Sequence, residues 1–99
     1  MTPQKILEVV RTYEARLVAE GVPKKRISAN LSFGVCNTQE LLAHAHYLCE
    51  GVRNNGAVQN SYKPDKANWD FAAIQMCLSF ANWYTLAELM EHNRSFVDA

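Results

Sequence analysis

Residues Phe71 to Ala87, FAAIQMCLSFANWYTLA, run for seventeen positions without a charge, in a chain otherwise dense with Lys, Arg, Asp and Glu. A stretch like this has few ways to exist in water. A membrane span wants about 20 mostly apolar residues, and Gln75, Ser79, Asn82 and Thr85 interrupt this one. The remaining reading is a helix buried on more than one side, a spine around which the other elements pack. A spine of this kind specifies a fold, and an assembly if one face stays uncovered, but it specifies no chemistry.

With 99 residues the chain has material for one domain, 1–99, since domains commonly hold about 100–150 residues. Ten basic and ten acidic residues give a formal net charge of zero. No global field then draws the protein to nucleic acid or to an anionic membrane, so nonspecific binding to either is not expected. The amino-terminal MTPQKILEVV lacks the basic, apolar and small-residue succession of a secretory signal. The three cysteines, Cys36, Cys49 and Cys77, form no CxxC pair and read as reduced structural thiols. Together these features predict a cytoplasmic protein.

Periodicity predicts an all-α fold, a small bundle of three main helices plus a short C-terminal fourth, with the third helix central. Thr2-Pro3 opens the first helix, about 3–20, because the hydroxyl accepts a free amide and proline suits the first helical position. Ile6, Val9, Val10, Tyr13 and Leu17 share one face, and Gly21 ends the helix. Residues 22–36 read as a loop that packs Leu31, Phe33 and Val35 on the core, with room for a short extra turn. Asn37 with Glu40 is a capping box, so the second helix starts near Thr38 and carries Leu41, Ala45, Leu48 and Val52 inward.

The stretch 56–66 reads as an exposed turn, after which the third helix starts at Pro64 or Asp65. It carries two apolar stripes, one of Ala67, Phe71, Ile74, Leu78 and Ala81, the other of Trp69, Ala73, Met76, Phe80 and Trp83, with Gln75 on a small polar face between them. Thr85 and Glu88 form a second capping box that opens the last helix, about 86–93.

No constellation points to catalysis or to a metal. On a helix His44 and His46 diverge by about 160–200°, so they cannot grip one ion. His46 and Cys49 supply two ligands at most, and no metal or other cofactor is expected. A nucleophile pairing Cys36 with His44 or His92 has no sequence signature behind it, and the protein reads as a non-enzyme. Lys24, Lys25 and Arg26 form the one basic run, a candidate contact for phosphate or an acidic partner. The aromatic concentration is more informative. Trp69, Met76, Phe80, Trp83 and Tyr84 are the candidate partner-binding residues, since Trp and Tyr are enriched at interaction hot spots.

KANWDFAAIQMCLSFANWYTLAELMEHNR, residues 66–94, resembles the closing segment of small helical proteins of uncharacterised function encoded by bacteriophages and prophages. Its Lys-Ala start, central Ile-Gln, late Trp, Thr-Leu-x-Glu-Leu turn and His-Asn-Arg finish carry the likeness. LLAHAHYLC, residues 41–49, is similar to the preceding helix of the same proteins. The resemblance implies an accessory protein with no catalytic residue to carry over, acting in a bacterial host by binding another protein. A host regulator or a defence component such as a CRISPR effector is the implied kind of partner, inhibited or modulated by the contact. Apart from the resemblance, the second stripe of the third helix makes a homodimer across a two-fold axis the simplest assembly, and the run Lys24, Lys25 and Arg26 makes a regulator that binds or mimics nucleic acid the alternative.

Overall fold

Helix starts and stops in this chain are written in side chains that answer unpaired backbone groups. A computed structural model describes residues 2–55 and 64–94. Thr2 Oγ1 accepts the Lys5 amide at 3.1 Å and Pro3 follows, so α1 runs Pro3–Ala19. It ends in a Schellman turn: Gly21 adopts φ 71°, its N–H donates to the Val18 carbonyl, and the Val22 N–H donates to Leu17. Asn37 and Glu40 exchange side-chain-to-amide bonds of 2.8 and 2.9 Å and open α2, Thr38–Asn55. Helix α3 covers Pro64–Phe80, and α4, Leu86–Asn93, begins at the reciprocal Thr85–Glu88 box. The predicted 56–66 turn falls mostly on 56–63, outside the described residues.

The described residues contain helices and no strands. Helix α2 packs along α3 over the widest contact and along α1 next, while α3 and α4 each also touch α1. Ile6, Val10, Tyr13 and Leu17 of α1 meet Leu41, Ala45, Cys49 and Val52 of α2 and Phe71, Ile74, Cys77 and Leu78 of α3 in one core, closed by Leu89 of α4. The first stripe of α3 is buried along its whole length. Burial of Cys49 and Cys77 pushes each thiol up to about 12, as expected of small hydrophobes in a core.

Three features depart from the sequence reading. Helix α3 stops at Phe80, because Asn82 takes φ 65° and completes a second Schellman turn, with its own N–H on the Ser79 carbonyl and the Trp83 N–H on Leu78. Trp83 therefore sits in the α3–α4 turn and leaves the helical stripe. The second face of α3 is not covered by the described residues, whereas α2 is more enclosed, with Leu41 through His46 all buried. In the loop, Leu31 and Val35 are exposed and only Phe33, in a 3-10 turn over Phe33–Val35, packs on the core. Val22 and Ile27 occupy the inward positions instead.

Leu78, with no solvent exposure at the α2–α3 seam, sets the expected cost of loosening the core. Leu78→Ala should lower unfolding free energy by about 2–5 kcal/mol in denaturant melts, by lost transfer energy plus the cavity left behind. A loss under about 1 kcal/mol would mean that this face carries little of the stability.

Candidate functional site

Five aromatic and methionine side chains in the C-terminal half were expected to act together, and the fold divides them into two groups. Trp69, Met76 and Phe80 lie on the outer face of α3, exposed by 79%, 50% and 57%. Trp83 and Tyr84 are half-buried in the turn after it, against α1. The division follows from the Asn82 turn, which rotates the chain after Phe80 away from the helical register. Leu86 and Met90, one turn apart on α4, are also exposed, an apolar pair that the stripe analysis did not single out.

The inner group is an aromatic and polar junction between α1, α3 and α4. The Arg16 guanidinium lies 4.0 Å over the Trp83 ring and 5.2 Å from that of Tyr84, while its Nε donates to Glu20 at 3.0 Å. Such a cation over two rings holds the turn against α1. Tyr84 meets the His92 ring edge to face at 4.7 Å, and both stand 5.5 Å from the Tyr13 ring.

Beneath them the Tyr13 hydroxyl lies 2.7 Å from His92 Nδ1 and accepts the Gln75 amide at 3.0 Å. Gln75 and Asn93 exchange amide bonds of 2.8 and 3.2 Å. Burial pushes the Tyr13 phenol up to about 12, so the hydroxyl keeps its proton, and the direction of its bond with His92 follows the imidazole tautomer. Gln75, which sequence alone places on a bland polar face, is thus a buried connector of three helices.

The basic run has a different support. Helix α2 grips the 22–27 segment at three points. His46 Nδ1 is 2.8 Å from the Val22 carbonyl, the Lys25 N–H donates to the Ala43 carbonyl at 3.1 Å, and His44 Nδ1 accepts the Ile27 N–H at 3.1 Å. The carbonyl partner makes His46 Nδ1 a donor, and the amide partner makes His44 Nδ1 an acceptor, so the two rings take opposite tautomers. His46 Nε2 is left buried without a partner. Lys24 pairs with Glu50 at 3.1 Å. Lys25 and Arg26 border a cleft of about 310 Å³ that Ile27, Leu31, Glu40 and Ala43 also line.

These commitments bear on the chemistry weighed from sequence. His44 Nδ1 is occupied by Ile27, and the Cys36 thiol donates to the Ser32 carbonyl at 3.4 Å, so no bond joins Cys36 to His44 as nucleophile and base. His92 is held by Tyr13. Among the described residues no three His, Cys, Asp or Glu side chains gather as a metal would require, and no helix is long and apolar enough to cross a membrane. Comparison with protein-family models, curated proteins and solved structures finds no match to this chain.

Two measurements check these arrangements. Tyr13→Phe leaves the Gln75 amide and His92 Nδ1 without their shared partner and should cost about 1–3 kcal/mol in denaturant melts. An unchanged melt would show that the hydroxyl contributes no net stability.

Burial, with Arg26 adding to it and Asp70 opposing it, holds the His44 pKa below the ordinary 6.5. The fold therefore favours the neutral ring. Its contribution is full above pH 6.5 and is lost as pH falls through and below that value, where the unfolded chain takes up the proton first. Hydrogen bonds to Thr85 hold the Glu88 carboxyl below its ordinary 4.5, so its effect belongs to a lower window. His44→Asn should flatten the decline in denaturant midpoint between about pH 7 and 5. An identical decline in the variant would assign it elsewhere.

Proposed function

We propose that this is a non-enzymatic accessory protein of the phage or prophage kind, working in the bacterial cytoplasm by binding another protein. The observation that carries the reading is the outer face of α3. A Trp exposed by 79% and a Phe exposed by 57% sit one above the other on a helix that bears no charge from Phe71 to its end. Proteins in water seldom leave a Trp and a Phe so open on one helix face unless something covers them, and Trp is among the residue types most enriched at hot spots. The resemblance of residues 66–94 to the closing segment of phage-encoded helical proteins supports the source, and with it a host or defence protein as the one bound. The α2 grip on residues 22–27 supports a secondary reading, in which Lys25 and Arg26 present a fixed cationic edge to phosphate or to an acidic patch.

Immobilised wild-type protein should retain a specific protein from a bacterial lysate, and the Trp69→Asp/Phe80→Asp variant should lose it. The Lys25→Glu/Arg26→Glu variant should keep it. Loss in the basic-loop variant alone, with retained nucleic acid that elutes steeply with salt, would favour the second reading instead.

A further inference from the structure

The outer face of α3 has a pattern that fits a second copy of this chain, and the inference rests on the protein-binding reading above, in which a foreign protein would compete with that copy for Trp69 and Phe80. Trp69, Ala73, Met76 and Phe80 stand four, three and four residues apart, the spacing of a helix–helix seam. Trp69 and Phe80 are equidistant from a point between Ile74 and Gln75, and Ala73 and Met76 are equidistant from the same point. A second α3 laid antiparallel across a two-fold axis at that point sets each Trp69 against the other copy's Phe80. It sets each Met76 against the other copy's Ala73. Large meets small in the middle, and ring meets ring at both ends, which is the complementarity that close helix packing needs.

Charge agrees with shape. The seam residues are uncharged, and the nearest ions on the helix, Lys66 and Asp70, pair with each other at 2.9 Å. The face offers an acidic or basic partner no complementary charge, while two copies meet without like-charge repulsion. Trp69, Met76 and Phe80 leave open on the order of 400 Å², about half of the ~800 Å² that each side gives to a standard interface. Flanking Asn68, Ala72 and Ser79 extend it.

We infer that α3 is the interface of a homodimer, with two copies crossing antiparallel so that Trp69 of each packs on Phe80 of the other. The closed two-fold contact is self-limiting, so a dimer and no larger assembly is expected.

Sedimentation of Trp69→Lys and Phe80→Glu, separately and mixed, tests this. Both residues are exposed, so each variant should melt like the wild type. Wild type should be dimeric at concentrations on the order of tens of micromolar. Each variant alone should associate roughly a hundredfold more weakly, since the change is met twice in its homodimer. The equimolar mixture should recover a dimer, because one contact becomes Lys on Glu and the other remains the native Phe80 on Trp69. A monomeric wild type overturns self-pairing, while the lysate capture judges the wider protein-binding reading separately. A wild-type dimer that survives both substitutions, or is not restored by mixing, overturns the antiparallel seam.

Discussion

The seam between α2 and α3 is the constraint on which the other elements depend. Ile74, Cys77 and Leu78 of α3 share one core with Ala45, Cys49 and Val52 of α2, all essentially without solvent contact. Ala45 and the two cysteines are small, so the helices can approach closely along the longest shared surface in the molecule. Helix α1 then lies on the remaining apolar side of α2 and brings in Tyr13. Loosening the seam removes support from every other helix, because α4 is held chiefly by α1 and α1 chiefly by α2.

Polar groups decide where the peripheral elements sit. Apolar contact alone would let the short α4 slide over α1, since burial is not directional. The Tyr13 hydroxyl prevents this by accepting a hydrogen from Gln75 and bonding His92 Nδ1, with Asn93 closing on Gln75. The same logic holds the loop after α1. His44 and His46 each bind a backbone group seventeen or more residues away, one accepting and one donating, and so fix a segment that has no regular structure of its own. Buried groups satisfied in this way trade modest net energy for a unique arrangement.

The boundaries of the helices were legible in the chain because they depend on neighbours in sequence. Thr2-Pro3, Asn37 with Glu40 and Thr85 with Glu88 all form the bonds that their spacing implies. The inward face of α1 was legible for the same reason, since a repeat of 3.6 residues follows from the helix itself, whereas on α2 Leu48 is only half-buried and Ala43, His44 and His46 are buried outside the predicted stripe. The end of α3 was harder to read. Nothing local distinguishes Asn82 as a left-handed residue from Asn82 as one more helical position, and the difference moved Trp83 out of the stripe. The loop was misassigned because Val22 and Ile27 turn inward only when α2 is present to bind the backbone around them.

Sequence by itself determined that this chain is helical, where its caps lie, which face of each long helix is apolar, and that one helix carries more apolar surface than a single core face requires. Tertiary structure decided that the second α3 stripe finds no cover among the described residues, an outcome the sequence left open between the loop with the last helix and another chain. Phe71, Ile74 and Leu78 enter the core while Gln75 reaches Tyr13, and a rigid helix cannot turn both faces to one partner. That choice leaves Trp69, Met76 and Phe80 facing outward. The reason is geometric: local spacing fixes the angle between two stripes, whereas long-range packing fixes which of them points inward.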